Sequence, residues 1–316
     1  MARMIKDIQF NQQRLFCLGF GLSARSFAKK WQQKGGLVAA TTRSADKKKQ
    51  IEKQSVKTHL YHLGEPFTQK MADDIKHADM LLISTPPGRF ECDPTPQLIK
   101  QSNLHLKGLI AYLSTTGVYG DHQGDWVDEN TPAKPTQLRS QKRIRSEQAW
   151  LKLSKDQALG VQICCFRLAG IYGEGRNALL TLTSNQNQAI ETKRIIKSGF
   201  RFGRIHSEDI ANILNVAYCF FKQAQSYGRL KKIYNVCDDL PAAQCDVIAY
   251  ACLLLNIPIM APIAYQDADL SEAAKSFYQD RRLIKNELMK QHLAIKLQFK
   301  DYRAGLQYEL NRILNS

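Results

Sequence analysis

Arg14-Leu15-Phe16-Cys17-Leu18-Gly19-Phe20-Gly21-Leu22-Ser23-Ala24 is a short apolar run that breaks at a glycine and resumes as a helix. Ser23 to Lys34 has helical periodicity, with Phe27, Ala28 and Trp31 on one face, and Leu37-Val38-Ala39-Ala40-Thr41 is a second apolar strand. Strand, glycine turn, helix and strand together make a βαβ unit. Within it, Gly19, Gly21 and Ala24 form a G-x-G-x-x-A turn. The first glycine lets the chain leave the strand tightly. The second lets a pyrophosphate approach the backbone, and the small third residue lets helix and strand pack. The N–H groups that open the helix, at Leu22 and Ser23, are then available to a phosphate. Glycines are common in turns, but this turn follows the first strand and opens a helix, which is the context a dinucleotide fingerprint requires.

Working outward, the alternation continues. Thr58 to Leu63 reads as a weaker strand, Met71 to Lys76 as a helix, and Asp79 to Ser84 as a buried strand stopped by Pro86-Pro87-Gly88. Pro96 to Ser102 reads as a helix, Leu109 to Ser114 as a strand, Leu138 to Leu153 as a long charged helix and Val161 to Phe166 as another strand. Apolar strands alternating with helices predict an α/β fold, a Rossmann-like doubly wound parallel sheet buried on both faces. Beyond Gly173 the pattern loosens. Ser207 opens a helix through Phe221, with Glu208 and Asp209 in the first turn, where the helix dipole favours carboxylates. Ile233 to Val236 is a short strand, and Pro241 to Leu255 reads as helix. The expected organisation is an N-terminal extension over residues 1–13 and a dinucleotide-binding domain over 14–188, to which 205–237 return. A smaller C-terminal substrate lobe is expected from 189–204 and 238–316.

The second strand ends in Thr41-Thr42-Arg43-Ser44. A site for NAD usually carries an acidic residue here, which hydrogen-bonds the ribose hydroxyls. Thr42, Arg43 and Ser44 instead suit a 2′-phosphate, so the reading favours NADP over NAD. The plain alternative is that Arg43 is a surface cation.

Composition narrows the function classes. The chain has 316 residues, 44% of them hydrophobic, enough to bury a large core. Its formal charge is +16, but the cations are scattered, and the densest run, Lys47-Lys48-Lys49, falls in an expected surface helix. That pattern argues for a solvated basic surface and against nucleic acid as a partner. The eight cysteines contain no C-x-x-C pair, so no metal is expected, and Cys17, Cys164 and Cys165 in apolar runs read as reduced thiols of a cytoplasmic protein. Met1 to Gln13 lacks the apolar core of a signal peptide, and no segment approaches the roughly 18 apolar residues of a membrane helix.

Further blocks carry a family resemblance. Leu113-Ser114-Thr115-Thr116-Gly117-Val118-Tyr119-Gly120-Asp121 resembles the active-site strand of the extended short-chain dehydrogenases, which include nucleotide-sugar epimerases and dehydratases. Phe166-Arg167-Leu168-Ala169-Gly170-Ile171-Tyr172-Gly173, Arg204 to Ala211, Tyr234 to Asp239 and Tyr302 to Leu306 resemble four later blocks, in order. In such enzymes a Ser or Thr, a Tyr and a Lys work together around a nicotinamide. The resemblance places Thr115 at the Ser/Thr position, where a satisfied turn hydroxyl is the simpler reading. With Glu147 as anchor, the Tyr-x-x-x-Lys pair falls on Arg139 and Arg143. Arginine does not deprotonate at working pH, so Arg139 cannot replace a proton-shuttling Tyr. Arg139 and Arg143 lie one helical turn apart, so both could face the cofactor, or both could be solvated. The chain thus resembles a bacterial, atypical subgroup described as epimerase/dehydratase-like.

The resemblance implies cofactor contacts at Thr85, Pro86, Ser114, Leu168 and Gly170, beside those of the glycine turn and of Thr42 to Ser44. Tyr119 and Tyr172, at sheet ends, are candidates for a displaced phenol, though such tyrosines more often pack with a satisfied hydroxyl. Arg176 and Asn177 are candidate substrate contacts, and His206 reads as structural. Asp121, Asp125 and Asp128 lie in a polar loop that could meet substrate or simply be solvated. Two functions remain open. One is an NADP-dependent oxidoreductase or epimerase with an atypical proton relay, acting on a small carbonyl or nucleotide-sugar-like molecule. The other is a non-catalytic sensor of NADP(H) or a partner-binding protein. A homodimer is compatible with either.

Overall fold

The computed structural model describes residues 8–156, 161–186, 193–224 and 228–315. The first half alternates strictly. Strand β1 (Arg14–Leu18) is followed by α1 (Leu22–Gln33), β2 (Leu37–Thr42), α2 (Ala45–Glu52), β3 (Lys57–Leu60), α3 (Gln69–Lys76), β4 (Met80–Ile83), α4 (Thr95–Gln101) and β5 (Gly108–Thr115). A two-residue strand, β6 (Trp126–Val127), precedes α5 (Leu138–Asp156), and β7 (Val161–Leu168) and β8 (Gly170–Tyr172) follow. Next come α6 (Ala178–Gln186), β9 (Ile195–Ile196), β10 (Arg204–His206), α7 (Ser207–Lys222), β11 (Ile233–Val236) and α8 (Gln244–Leu254). The chain finishes with β12 (Ile263–Ala264), α9 (Glu272–Phe277), β13 (Leu283–Ile284), α10 (Glu287–His292) and α11 (Tyr302–Leu314).

Seven strands form one sheet in the order β11-β7-β5-β4-β1-β2-β3, every pairing parallel. This is the doubly wound order with a seventh strand added outside β7. The strand side chains alternate between two cores, as a period of two requires. Leu15, Cys17 and Leu82 join Phe27, Trp31 and Tyr218 on one face, where α1 packs on α7. Phe16, Leu18, Leu81 and Ile83 join Ile75, Ile99 and Trp150 on the other, under α3, α4 and α5. Burial on both faces explains why these strands read as unbroken apolar runs.

A separate core holds Tyr172, Leu179, Leu182, Val247, Ile248, Tyr302 and Leu306, and so ties α6, α8 and α11 together. Three parallel two-stranded ribbons, β8 with β10, β9 with β12 and β6 with β13, complete the back part. These short ribbons have no visible sequence period.

Three differences from the sequence reading have physical causes. The chain before β1 is not merely a polar extension: Phe10 is fully buried against Trp31 and Tyr218, with ring centroids 4.4 and 5.1 Å away. The helix expected from Pro241 starts at Gln244, because Ala242 exchanges both backbone hydrogen bonds with Phe202. The strand expected through Leu63 stops at Leu60, and residues 61–63 turn across the sheet end. Among the described residues, no helix is long and apolar enough to cross a membrane.

Candidate functional site

The glycine turn stands at the carboxyl end of β1, between the ends of β2 and β4. Gly19 has φ +85°, and its N–H donates to Thr41 Oγ1 at 2.8 Å. A Cβ there would lie 2.8 Å from Thr85 Cγ2 and 2.9 Å from Ser84 Oγ, so both conformation and space demand glycine. Gly21 differs. Its φ is −80°, which any residue adopts, and a Cβ would meet nothing within 4 Å. Gly21 is the N-cap of α1, and no side chain caps the helix. The uncapped amides of the first turn therefore open onto free space, the arrangement that receives an anion. Ala24, fully buried, packs α1 onto the sheet.

Three cavities run along the carboxyl edge of the sheet. The largest, about 790 Å³, is bounded by Gly19 to Gly21, Thr41 to Ser44, Lys47, Tyr61 to Leu63, Glu65 and Ser84 to Phe90. The second, about 170 Å³, is lined by Gly21, Leu22, Ser23, Ser84, Leu113, Ser114, Arg143, Leu168, Ile171 and Arg176. It shares Gly21 and Ser84 with the first. The third, about 250 Å³, shares Ile171 and Arg176 with the second and is further lined by Gly170, Tyr172, Arg204, Gln244 and Tyr302. Through these shared walls the cavities adjoin in a row, a track from β2 to the back core.

Within the track, Arg43 is exposed on the first cavity, and Lys47 and Arg89 line it too. Lys47 and Arg89 were missed by sequence reading. Glu65 is the one acid on this wall among the described residues. It accepts the His62 N–H at 3.2 Å, with its other oxygen 3.5 Å from the imidazole. Thr42 and Ser44 are spent locally: Thr42 Oγ1 accepts the Ser44 N–H, and Ser44 Oγ caps α2 by accepting the Lys47 N–H. Pro86 lies on the first cavity, and Leu168 lines the second. Thr85 Oγ1 and Ser114 Oγ are buried without a hydrogen-bond partner among the described residues, each in a residue that lines the track. Gly170, expected on the cofactor, instead borders the third cavity.

The two arginines expected on one face part company. Arg143 Nη1 donates to Leu113 O at 3.0 Å, Tyr112 Oη at 3.1 Å and Thr85 O at 3.3 Å, which pins the guanidinium between the ends of β4 and β5. Arg139 is exposed in the first turn of α5 and lines none of the three cavities. Helix α5 is held by the buried pair Arg167–Glu147, with Nη2 to Oε2 at 2.7 Å. Burial pushes the Tyr112 phenol up to about 12, against the pull of the Arg143 guanidinium, so it stays a neutral hydroxyl.

Three other expected site residues take structural places. Tyr119 is fully buried, its hydroxyl donating to Asn235 Oδ1 at 2.7 Å and its ring lying under the Arg167 guanidinium at 4.8 Å. Burial raises its phenol too, against the Arg167 charge. It lines none of the three cavities. Asn177 is buried as well. Its amide donates to Gly173 O and Glu309 Oε2, and its oxygen accepts the Leu180 N–H, so it caps α6 rather than meeting substrate. Thr115 Oγ1 accepts the Gly117 N–H at 3.1 Å and caps a short 3₁₀ turn at Thr116–Tyr119. It is Ser114 that lines the second cavity. His206, read as structural, is buried with Nε2 3.1 Å from Glu309 Oε1.

The polar side chains that line the second cavity are Ser23, Ser84, Ser114, Arg143 and Arg176. They can donate to a carbonyl or oxyanion oxygen, but the two guanidiniums cannot accept a proton.

A Rossmann-like α/β protein with the architecture of the NAD-dependent epimerases and dehydratases is what the sheet order and this cleft define. The chain aligns with a dTDP-glucose 4,6-dehydratase from Bacillus anthracis, solved in complex with NAD, at a TM-score of 0.71 and 16% identity, covering 96% of this chain and 97% of that one. It belongs to the same family as a conserved protein of unknown function from Silicibacter pomeroyi DSS, which is 31% identical. That match has a TM-score of 0.77 and covers 96% of this chain and 99% of that one. It is also 26% identical over 229 residues to Protein YeeZ of Escherichia coli K12, covering 70% of this chain and 74% of that protein. No protein-family model matches the chain.

Proposed function

We propose that the chain binds a nicotinamide dinucleotide along this track and acts as an NADP-dependent oxidoreductase or epimerase on a small carbonyl or nucleotide-sugar-like substrate. The observation that carries the reading is that the three cavities adjoin in a row, sharing Gly21 and Ser84 and then Ile171 and Arg176 as walls. The pyrophosphate fits the open face of Gly21 and the amides of Leu22 and Ser23. Arg43, with Lys47 and Arg89, suits a 2′-phosphate at the β2 end, and Thr85 and Ser114 have hydroxyls in need of partners. The structurally similar dehydratase was solved in complex with NAD, which supports a nicotinamide dinucleotide as the ligand. The part built on the described residues 193–204 and 238–315 would then serve as the substrate lobe; 189–192 and 316 of the expected lobe lie outside the described residues.

When bound, the dinucleotide supplies hydride transfer. Arg143, fixed by three acceptors, orients the neighbouring ribose or the reacting oxygen. Ser114 donates to a carbonyl oxygen, and Thr115 keeps the strand end in register by capping the turn. Among the described residues no tyrosine lines the second cavity; Tyr172 lines the adjoining third one, its hydroxyl donating to Asp301 O at 3.3 Å. The first of these observations favours the second reading, a sensor of NADP(H) without turnover.

The discriminating experiment incubates the protein with NADPH and a panel of small carbonyl compounds and nucleotide sugars, following absorbance and product. NADPH consumption with at least one substrate is the expected result. Tight NADPH binding with no turnover across the panel would favour the sensor.

A further inference from the structure

We propose that the third cavity is a subsite for an anionic group, a carboxylate or a phosphate, of a small substrate gripped by Arg204 and Arg176. The proposal rests on reading the neighbouring cavity as the nicotinamide end, because Arg176 borders both. It names the substrate class that the track would accept.

Arg204 is the decisive residue. It is only 7% exposed, yet it lines the cavity. Nη1 donates to Ala242 O at 2.9 Å and Phe202 O at 3.2 Å, and the guanidinium lies 3.8 Å from the centre of the Phe202 ring. The side chain is therefore fixed before any ligand arrives, and its remaining donors make no hydrogen bond to a described residue. A buried guanidinium normally has a carboxylate against it. None of the ion pairs among the described residues involves Arg204, and no Asp or Glu lines this cavity.

The acid that acts most on Arg204 is Asp238, which is 3% exposed and whose N–H donates to Arg204 O at 2.6 Å. Burial pushes the Asp238 carboxyl up to about 8, in spite of the Arg204 charge. Its carboxyl makes no ion pair with the guanidinium, so Arg204 has no carboxylate against it among the described residues. Burial in turn lowers the Arg204 guanidinium to about 10. An anion entering the cavity would supply the missing countercharge, and an arginine fork meets a carboxylate or phosphate with two parallel hydrogen bonds. Thr181 and Gln244 on the wall add neutral polar groups. The volume of about 250 Å³ falls just below the roughly 300 Å³ at which drug-sized pockets begin, which suits a small anionic group.

The test uses the full-length protein with malonate and inorganic phosphate as separate probes, and malonamide as the uncharged control. Calorimetry and thermal shift are run with ionic strength matched by sodium chloride, because a +16 chain attracts any anion weakly. At least one anion is expected to bind with one-to-one stoichiometry, and malonamide not at all. Malonate alone would assign a carboxylate, and phosphate alone a phosphoryl group. Arg176→Gln, at the junction of the two cavities, is expected to weaken binding about tenfold or more, and Arg204→Lys, which keeps the charge but loses the fork, by a similar factor. The proposal is overturned if neither anion exceeds chloride at matched ionic strength, or if both variants bind as the parent does. NADPH binding is measured on the same samples. Intact NADPH binding without anion binding overturns the subsite alone. Anion binding without NADPH binding upholds the subsite and overturns the cofactor reading.

Discussion

Gly21→Asp separates the binding role of the glycine turn from its structural role. Gly21 has an ordinary φ of −80°, and a Cβ there meets nothing within 4 Å. Asp is among the best N-cap residues, and α1 has neither a side-chain cap nor an acid in its first turn. The substitution should therefore leave stability unchanged or raise it by up to about 1 kcal/mol. Its carboxylate would, however, stand where the pyrophosphate is expected. Two like charges about 5 Å apart at an effective dielectric of about 20 repel by roughly 3 kcal/mol, which is more than a hundredfold in affinity. The assay pairs thermal unfolding with titration by NADPH fluorescence. The expected result is an unchanged or raised Tm together with NADPH binding lost by about a hundredfold. Gly19→Ala is the contrast. Its φ of +85° and the 2.8 Å approach to Thr85 Cγ2 should cost about 1–3 kcal/mol of stability before any ligand is added. Full NADPH affinity in a folded Gly21→Asp protein would refute the placement of the pyrophosphate.

Three further outcomes follow from named contacts. Arg43→Ala should weaken NADPH about tenfold or more while leaving NADH within about twofold, and an equal loss for both would remove the 2′-phosphate assignment. Arg143→Ala should weaken the dinucleotide more than Arg139→Ala, because only Arg143 lines the track; equal affinities by calorimetry would contradict this. For Asp238, the folded carboxyl titrates at about 8 against an unfolded value of about 3.9. A raised carboxyl contributes stability that is fully present below the unfolded value and is lost as pH climbs through the folded one. Urea unfolding at pH 5 and pH 8 should thus show a loss on the order of a few kcal/mol in the parent that Asp238→Asn largely abolishes, and identical pH slopes would sink the claim.

The parallel sheet was legible because burial on both faces leaves continuous apolar runs, and the glycine turn because its chemistry is local. The cavity walls were not. Lys47 belongs to a basic run that looks uniformly solvated, and only the N-cap at Ser44 turns that one lysine toward the cleft. Arg89 follows a Pro-Pro-Gly break whose path over Gly19 has no sequence period. Tyr119 and Asn177 sit at positions that suggest a site, but their fates depend on distant partners, Asn235 and Glu309, which lie 116 and 132 positions away. Arg204 and Asp238 stood inside family-like blocks, and only the structure reveals that both are buried with no ion pair between them.

The most direct test of the central claim is a crystal structure of the protein with NADP at saturating concentration. The account expects the pyrophosphate on the amides after Gly21, the 2′-phosphate beside Arg43 and the nicotinamide against Ser114 and Arg143. A dinucleotide bound elsewhere, or none bound at all, would contradict it.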